Sequence, residues 1–200
     1  MKLSSIRTKL AVVGVIPIVL FLALIIIYLI PVLEETIFHE KEIQTMEMVN
    51  TALGIIENLH QKEMQGELSR QEAQERAMES IASMTFGEDR QDYFWINDYV
   101  PNMVMHPFRP DLDGEYIGDF QDPDGLRLFQ EMVEAVERHD AGYVEYQWQY
   151  YDDQDRIEPK LSYVAGFEPW EWIVGTGVYI HDVQQIAGET RNTSLFWTGV

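Results

Sequence analysis

Residues 93–106 read YFWINDYVPNMVMH. Tyr93 to Asn97 is aromatic and β-branched, the composition of a pleated, half-buried strand. Asp98 to Asn102, with Pro101 inside it, predicts a turn. Met103-Val104-Met105-His106 then returns as the hairpin partner and is stopped by Pro107, which cannot donate to a ladder. Alternation puts Tyr93 and Trp95 together on one face of the first strand.

Outward from this hairpin the sequence keeps switching between strand and helix texture. Downstream, Asp111 to Asp124 is a loop rich in Gly and Asp. Asp122-Pro123 predicts an N-cap and N1 proline for a helix reaching about His139. Three strands are expected at 143–151, 157–166 and 171–180, with Asp152 to Asp155 as a tight turn between the first two. Val144, Tyr146, Trp148 and Tyr150 share one face of their strand. Gly175-Thr176-Gly177 lies inside a strand pattern, which indicates close backbone approach rather than a phosphate cradle. Upstream, Glu34 to about Met84 holds helix formers and no Pro. Met46, Val49, Leu53 and Ile56 recur at three- and four-residue steps, one apolar stripe. Gln65-Gly66 interrupts the helix, and Ser69 with Glu72 is a capping box that restarts it. The second helix, with Ala73, Ala77, Met78 and Ile81, should stop near Phe86-Gly87. The expected class is α+β, an antiparallel sheet with helices on one side.

Residues 10–33 carry no charged side chain. At about 1.5 Å per residue they span a hydrocarbon core of roughly 30 Å. A cleaved signal peptide has an apolar core of only about 7 to 15 residues and a small-residue cleavage site, which Leu29 to Leu33 does not offer. Lys2, Arg7 and Lys9 precede the span, and Glu34, Glu35, Glu40 and Glu42 against Lys41 follow it, so residues 1–9 are expected on the cytoplasmic side. The helix after the span continues directly from it. Ser194 to Val200 turns apolar and aromatic again. Residues 186–200 therefore read as a membrane-proximal helix and the start of a second transmembrane segment, or else as a merely apolar tail. On the first reading the chain is part of a longer receptor.

Beyond Leu33 lie 34 acidic and 11 basic side chains, a charge of about −23. Such a field repels phosphate, which excludes nucleic acid and anionic lipid surfaces as partners. The chain has no Cys, so disulfides, thiolate metal sites and thiol nucleophiles are excluded. Its five His, at 39, 60, 106, 139 and 181, show no two-His ligand spacing, and no metal or cofactor is expected. The loop around Asp122-Pro123-Asp124-Gly125 has the look of a calcium loop. With Gly125 at position six, though, position one is Phe120, which cannot ligate, and Pro123 locks the backbone. No nucleophile triad or paired-carboxylate motif is present, so no enzymatic activity is expected of these residues. Two residues fit the aromatic core poorly. Lys160 sits between Pro159 and Leu161 in an apolar strand, and His106 ends another. Each has a surface alternative. If they share the aromatic pocket, they offer a cationic and a neutral donor to a small anion. A buried Lys needs a counter-charge to offset its desolvation.

These motifs closely resemble the single Cache sensor domain in its second subtype. The resemblance rests on Tyr93 to Asp98, Met103 to Pro107, Leu112-Asp113-Gly114 and Asp122 to Phe129. It continues through Gly142 to Trp148, Lys160 to Val164 and Phe167 to Ile180. It implies a long N-terminal helix followed by a PAS-like antiparallel sheet whose concave face holds a small ligand. It also implies a periplasmic or extracellular sensor domain over residues 34–185, anchored in the bacterial inner membrane between two membrane helices. Chemoreceptors, sensor kinases and cyclic-nucleotide enzymes carry such domains, and any kinase or cyclase activity would belong to a module after Val200. Family ligands include acetate, propionate, pyruvate and lactate. By position the resemblance places the ligand site at Tyr93, Trp95, His106, Tyr146, Trp148, Lys160 and Tyr163. Lys160 would balance the carboxylate, His106 and the tyrosines would hydrogen-bond it, and the indoles would wall its alkyl end. Such receptors dimerise along membrane-proximal helices, and the Met46–Ile56 stripe would serve either that homodimer or packing on its own sheet. The family often has a basic-aromatic pair ahead of the tyrosine-led strand, whereas here Thr85-Phe86 precedes Gly87-Glu88-Asp89-Arg90, so a positive group is either missing from this end of the domain or replaced by Arg90. The alternative is an anchored domain with a vestigial pocket that acts as a structural or partner-binding module.

Overall fold

The computed structural model describes residues 6–87 and 90–180. The membrane-proximal helix and second span expected at residues 186–200 lie outside the described residues. The N-terminal unit reaches His39 and the sheet unit begins at Glu40. In the first, helix α1 (Ile6–Leu24) is followed by a π-helical stretch, Ile25–Leu29, and by the start of α2 (Ile30–Met64). From Val13 this is one helix long and apolar enough to cross a membrane. Leu20, Phe21, Ile27 and Tyr28 are all exposed. A helix apolar all round suits lipid, because its backbone polar groups are satisfied internally.

In the sheet unit α2 buries Thr45, Val49, Ala52, Ile56 and Leu59, spaced at alternating four- and three-residue steps. Val49 and Ile56 of the predicted stripe thus pack inward on their own subunit, while Met46 and Leu53 are only partly buried. Helix α3 (Arg70–Ala82) starts at Ser69, whose hydroxyl accepts from the Glu72 amide while the Glu72 carboxylate reaches back to Ser69. It ends at Ala82 rather than near Gly87. The reason is tertiary: Thr85–Phe86 pairs as a short strand, β1, with β2 (Asp92–Asp98), and the Phe86 ring packs 5.6 Å from Phe94.

Among the described residues six antiparallel strands form one sheet. Besides β1 and β2 they are β3 (Met103–Met105), β4 (Ala141–Tyr150), β5 (Asp153–Phe167) and β6 (Trp172–Tyr179). The order is β1-β2-β6-β5-β4, with β3 also paired to β2. Helices lie on both faces, which corrects the one-sided arrangement expected. Ala52, Ile56, Ala73, Ala77 and Ile81 from α2 and α3 pack with Phe94, Ile96 and Val174. Helix α4 (Leu128–His139) buries Leu128, Phe129, Met132, Val133 and Val136 on the opposite face, against Tyr93, Trp95, Tyr146 and Trp148. Aromatic residues on both faces leave no side of this sheet able to face water.

Helix α4 begins at Leu128, five residues later than Asp122-Pro123 suggested. Asp122 instead holds the preceding loop. Its Oδ1 accepts from the amides of Asp124 and Leu126, and its Oδ2 accepts from the amide of Gln147 on β4. A helix cap and a loop clasp use the same carboxylate chemistry, and the reach to Gln147 selects the clasp.

Candidate functional site

Alternation and register assemble the site. Tyr146 lies opposite Lys160 on β4, and Lys160 lies opposite Tyr179 on β6. Lys160 and Ser162 share a face of β5 with Val164, while Gly175, Gly177 and Tyr179 share the matching face of β6. The two glycines form a trough. A Cβ on Gly175 would come within 2.3 Å of the Trp95 indole, and one on Gly177 within 2.1 Å of Ser162 Oγ and 3.0 Å of Lys160 Cε. The close backbone approach expected at Gly175-Thr176-Gly177 is therefore an accommodation of Trp95, Ser162 and Lys160.

Lys160 is fully buried, and among the described residues its Nζ makes no hydrogen bond. The Nζ stands 4.0 Å from the Tyr93 ring centroid, 5.0 Å from Tyr179 and 5.7 Å from Trp95. Ring quadrupoles offset part of the ammonium's desolvation. Burial still pulls its pKa from 10.5 to about 7, and only the Asp92 charge opposes the shift. The Asp92 Oδ1 accepts from the Tyr151 hydroxyl at 3.1 Å, and burial raises the carboxyl's pKa.

His106 is buried beside this group, with its ring 4.9 Å from Tyr93 and 5.9 Å from Trp148. The amides of Phe108 and Arg109 donate to its Nδ1 at 3.2 and 3.0 Å. Two donors on Nδ1 assign the ring proton to Nε2, which makes His106 a neutral donor. Burial, then the charges of Lys160 and Arg109, lower its pKa to about 3. The Trp148 indole donates to the Tyr93 hydroxyl at 2.9 Å, and the Tyr146 and Ser162 hydroxyls lie 3.0 Å apart. Burial raises the pKa of Tyr93 and Tyr146, so both phenols remain protonated.

Tyr93, Trp95 and Tyr179 thus surround the buried Lys160 ammonium, with Tyr146 opposite Lys160 in register and His106 and Trp148 packed on Tyr93. Tyr163 is a correction. It lies an odd number of positions from Lys160 and so faces the other way, half-buried with its ring 4.7 Å from Tyr143. The Tyr143 hydroxyl donates to the Glu42 carbonyl on α2, which places this pair on the α2 side of the sheet. Arg90 is exposed, and its Nε donates to the Thr85 hydroxyl on β1. Tyr179, Ser162 and Asp92 were not anticipated. For Tyr179 the signal was present, because it follows Gly175 and Gly177 at two-residue steps on a glycine-hollowed face. A cleft of about 340 Å³ is lined by Trp148, Phe120, Pro123, Arg109, Gln154 and Ile157, among others.

A single Cache domain 2 family profile matches residues 37–192. Over 165 residues the chain is 39% identical to the methyl-accepting chemotaxis protein McpP of Pseudomonas putida, covering 82% of this chain and 30% of that protein. It is 31% identical over 150 residues to the sensor histidine kinase MctS of Rhizobium johnstonii, covering 75% and 31%. The chain therefore spans less than a third of the length of either relative. A solved Cache chemosensory domain described as recognising carboxylic acids is 40% identical, with a TM-score of 0.69 over 73% of this chain and 97% of that domain.

Proposed function

Since this chain belongs to the single Cache domain 2 family, we propose that residues 34–185 are the extracytoplasmic sensor domain of a bacterial inner-membrane receptor and bind a short-chain monocarboxylate. The observation that carries the proposal is Lys160, a buried ammonium with no hydrogen-bond partner among the described residues. A carboxylate supplies the missing counter-charge and accepts from Nζ in a charge-assisted bond. The His106 Nε2–H and the Tyr146 and Ser162 hydroxyls add neutral donors. The rings of Tyr93, Trp95 and Trp148 take the alkyl part, and the burial of these residues limits ligand size. The solved carboxylate-recognising domain at 40% identity supports the same ligand class. The domain performs no chemistry of its own in this reading. Its output is a change in helix position, which a ligand drives only through its difference in affinity for two states. Residues 10–33 anchor the chain, and the parts of α2 that face away from the sheet are available for pairing with a second copy. Any signalling output of the kind named in the chemoreceptor and kinase relatives is assigned outside residues 34–185.

Lys160→Met tests the site. The 200-residue chain in lipid nanodiscs should bind propionate, and the variant should lose at least about 100-fold in affinity, as expected for removal of one partner of a buried charge pair. Without propionate the variant should melt at the same temperature or higher, because a buried ammonium has been replaced by an apolar chain of similar length. A variant that binds propionate normally contradicts the assignment.

A further inference from the structure

Trp148 stands between the buried groups around Lys160 and an outward-opening cleft. On its inner side its Nε1–H is held by the Tyr93 hydroxyl at 2.9 Å, and its ring lies 5.9 Å from His106. Tyr93 also stands against the Lys160 ammonium through its ring face, and His106 lies near enough to feel its charge. On its outer side the same indole lines the cleft of about 340 Å³ beside Phe120, whose ring centroid is 5.4 Å away. Phe129 of α4 meets it edge-on at 5.8 Å. The indole is almost completely buried, yet it lines an outward-opening cleft, so the indole, with Tyr93 behind it, stands between that cleft and the Lys160 ammonium.

Resting on the carboxylate reading, we infer that Trp148 is the length-determining residue of the site: its indole, backed by Phe120, is the partition that stops the alkyl end of a bound acid from reaching the outer cleft. Three features suit it to that task. The bond to Tyr93 fixes the indole's orientation, so it cannot swing aside without leaving a buried N–H unpaired, which is costly. Its neighbours Phe129 and Phe120 pack it from two further directions. The cleft behind it carries apolar surface from Phe120, Pro123 and Ile157, on which additional methylenes would be accepted. The carboxylate end, by contrast, is set by Lys160 and His106, which Trp148 only flanks. Length and charge selection are thereby assigned to different residues.

The test is a titration of the 200-residue chain in nanodiscs with propionate, butanoate and hexanoate, for wild type and Trp148→Ala. A methylene in an apolar pocket is worth roughly 10-fold or more in affinity. The ratio of hexanoate to propionate affinity should therefore rise at least about 10-fold in Trp148→Ala, with propionate itself weakened by loss of the wall. An unchanged ratio overturns the inference while leaving the carboxylate reading intact. Failure of wild type to bind any of the three acids removes the reading on which it rests. Should Trp148→Ala fail to fold, Phe120→Ala thins the same partition from outside without touching Tyr93. That variant must then raise the ratio by a few-fold, and an unchanged ratio there also overturns the inference.

Discussion

In the proposed reading Lys160 meets the carboxylate as a cation and His106 as a neutral donor, and pH separates their effects. The ordinary lysine value of 10.5 falls to about 7 at Lys160. Between those values the unfolded chain binds more protons than the folded one. Stability in the absence of added acid therefore rises as pH is raised from about 7 towards 10. Carboxylate affinity moves the opposite way, because only the ammonium balances the ligand. It should be constant below pH 7 and fall roughly 10-fold per pH unit above it, as measured by titration at pH 6, 7, 8 and 9. His106 acts in acid. Its value drops from 6.5 to about 3, so the unfolded state takes up the proton first and the group costs stability as pH falls from 6.5 to 3. At this scale much of the site was legible in the sequence. Lys160 between Pro159 and Leu161 was conspicuous because an ionised chain in an apolar strand demands a reason. Tyr163 was misplaced because position along β5 was weighed above the parity that sends it to the α2 face. Asp92 could not be found, since its role depends on Tyr151 reaching it from a distant hairpin.

Among the elements, β6 is the one whose composition the site most constrains. Gly175→Ala drives a Cβ to within 2.3 Å of the Trp95 indole, in a strand buried along its whole length. Overpacking of that kind costs about 1–3 kcal/mol, and the displaced indole should also weaken propionate binding. Gly54 is the control. It is exposed in the middle of α2, and a methyl added there would meet nothing within 4 Å, so Gly54→Ala should stabilise by about 0.5–1 kcal/mol through helix propensity. Chemical denaturation reads both, and the account of the trough fails if the two substitutions behave alike. Strands were readable from alternation, and the Ser69–Glu72 box was readable from spacing, because both signals are local. The starts and stops that went astray, at Ala82 and Leu128, were decided by partners far along the chain. Phe94 draws Phe86 into a strand, and the Gln147 amide claims the Asp122 carboxylate.

For the molecule as a whole, the apolar run ahead of an acidic domain sets a topology that the chain's own composition makes easy to probe. It contains no Cys, so a single introduced thiol reports its side of the membrane without background. Asp152→Cys, exposed at the β4–β5 turn, should react with a membrane-impermeant maleimide in intact spheroplasts, whereas Ser4→Cys should react only after lysis. The reverse pattern would invert the proposed orientation. Charge balance is the other molecular property. A domain of about −23 repels anions in bulk solution, so on the proposed reading recognition of a carboxylate depends on the buried Lys160 ammonium. The most direct measurement of this dependence compares propionate with propionamide, its neutral analogue of nearly the same shape, by calorimetric titration of the wild-type chain at pH 6.5. Propionate should bind at one site per chain, with propionamide at least about 100-fold weaker, because the amide leaves the ammonium unpaired. Equal affinities for the two, or no binding of propionate at all, would contradict the assignment of Lys160 as the group that neutralises the ligand.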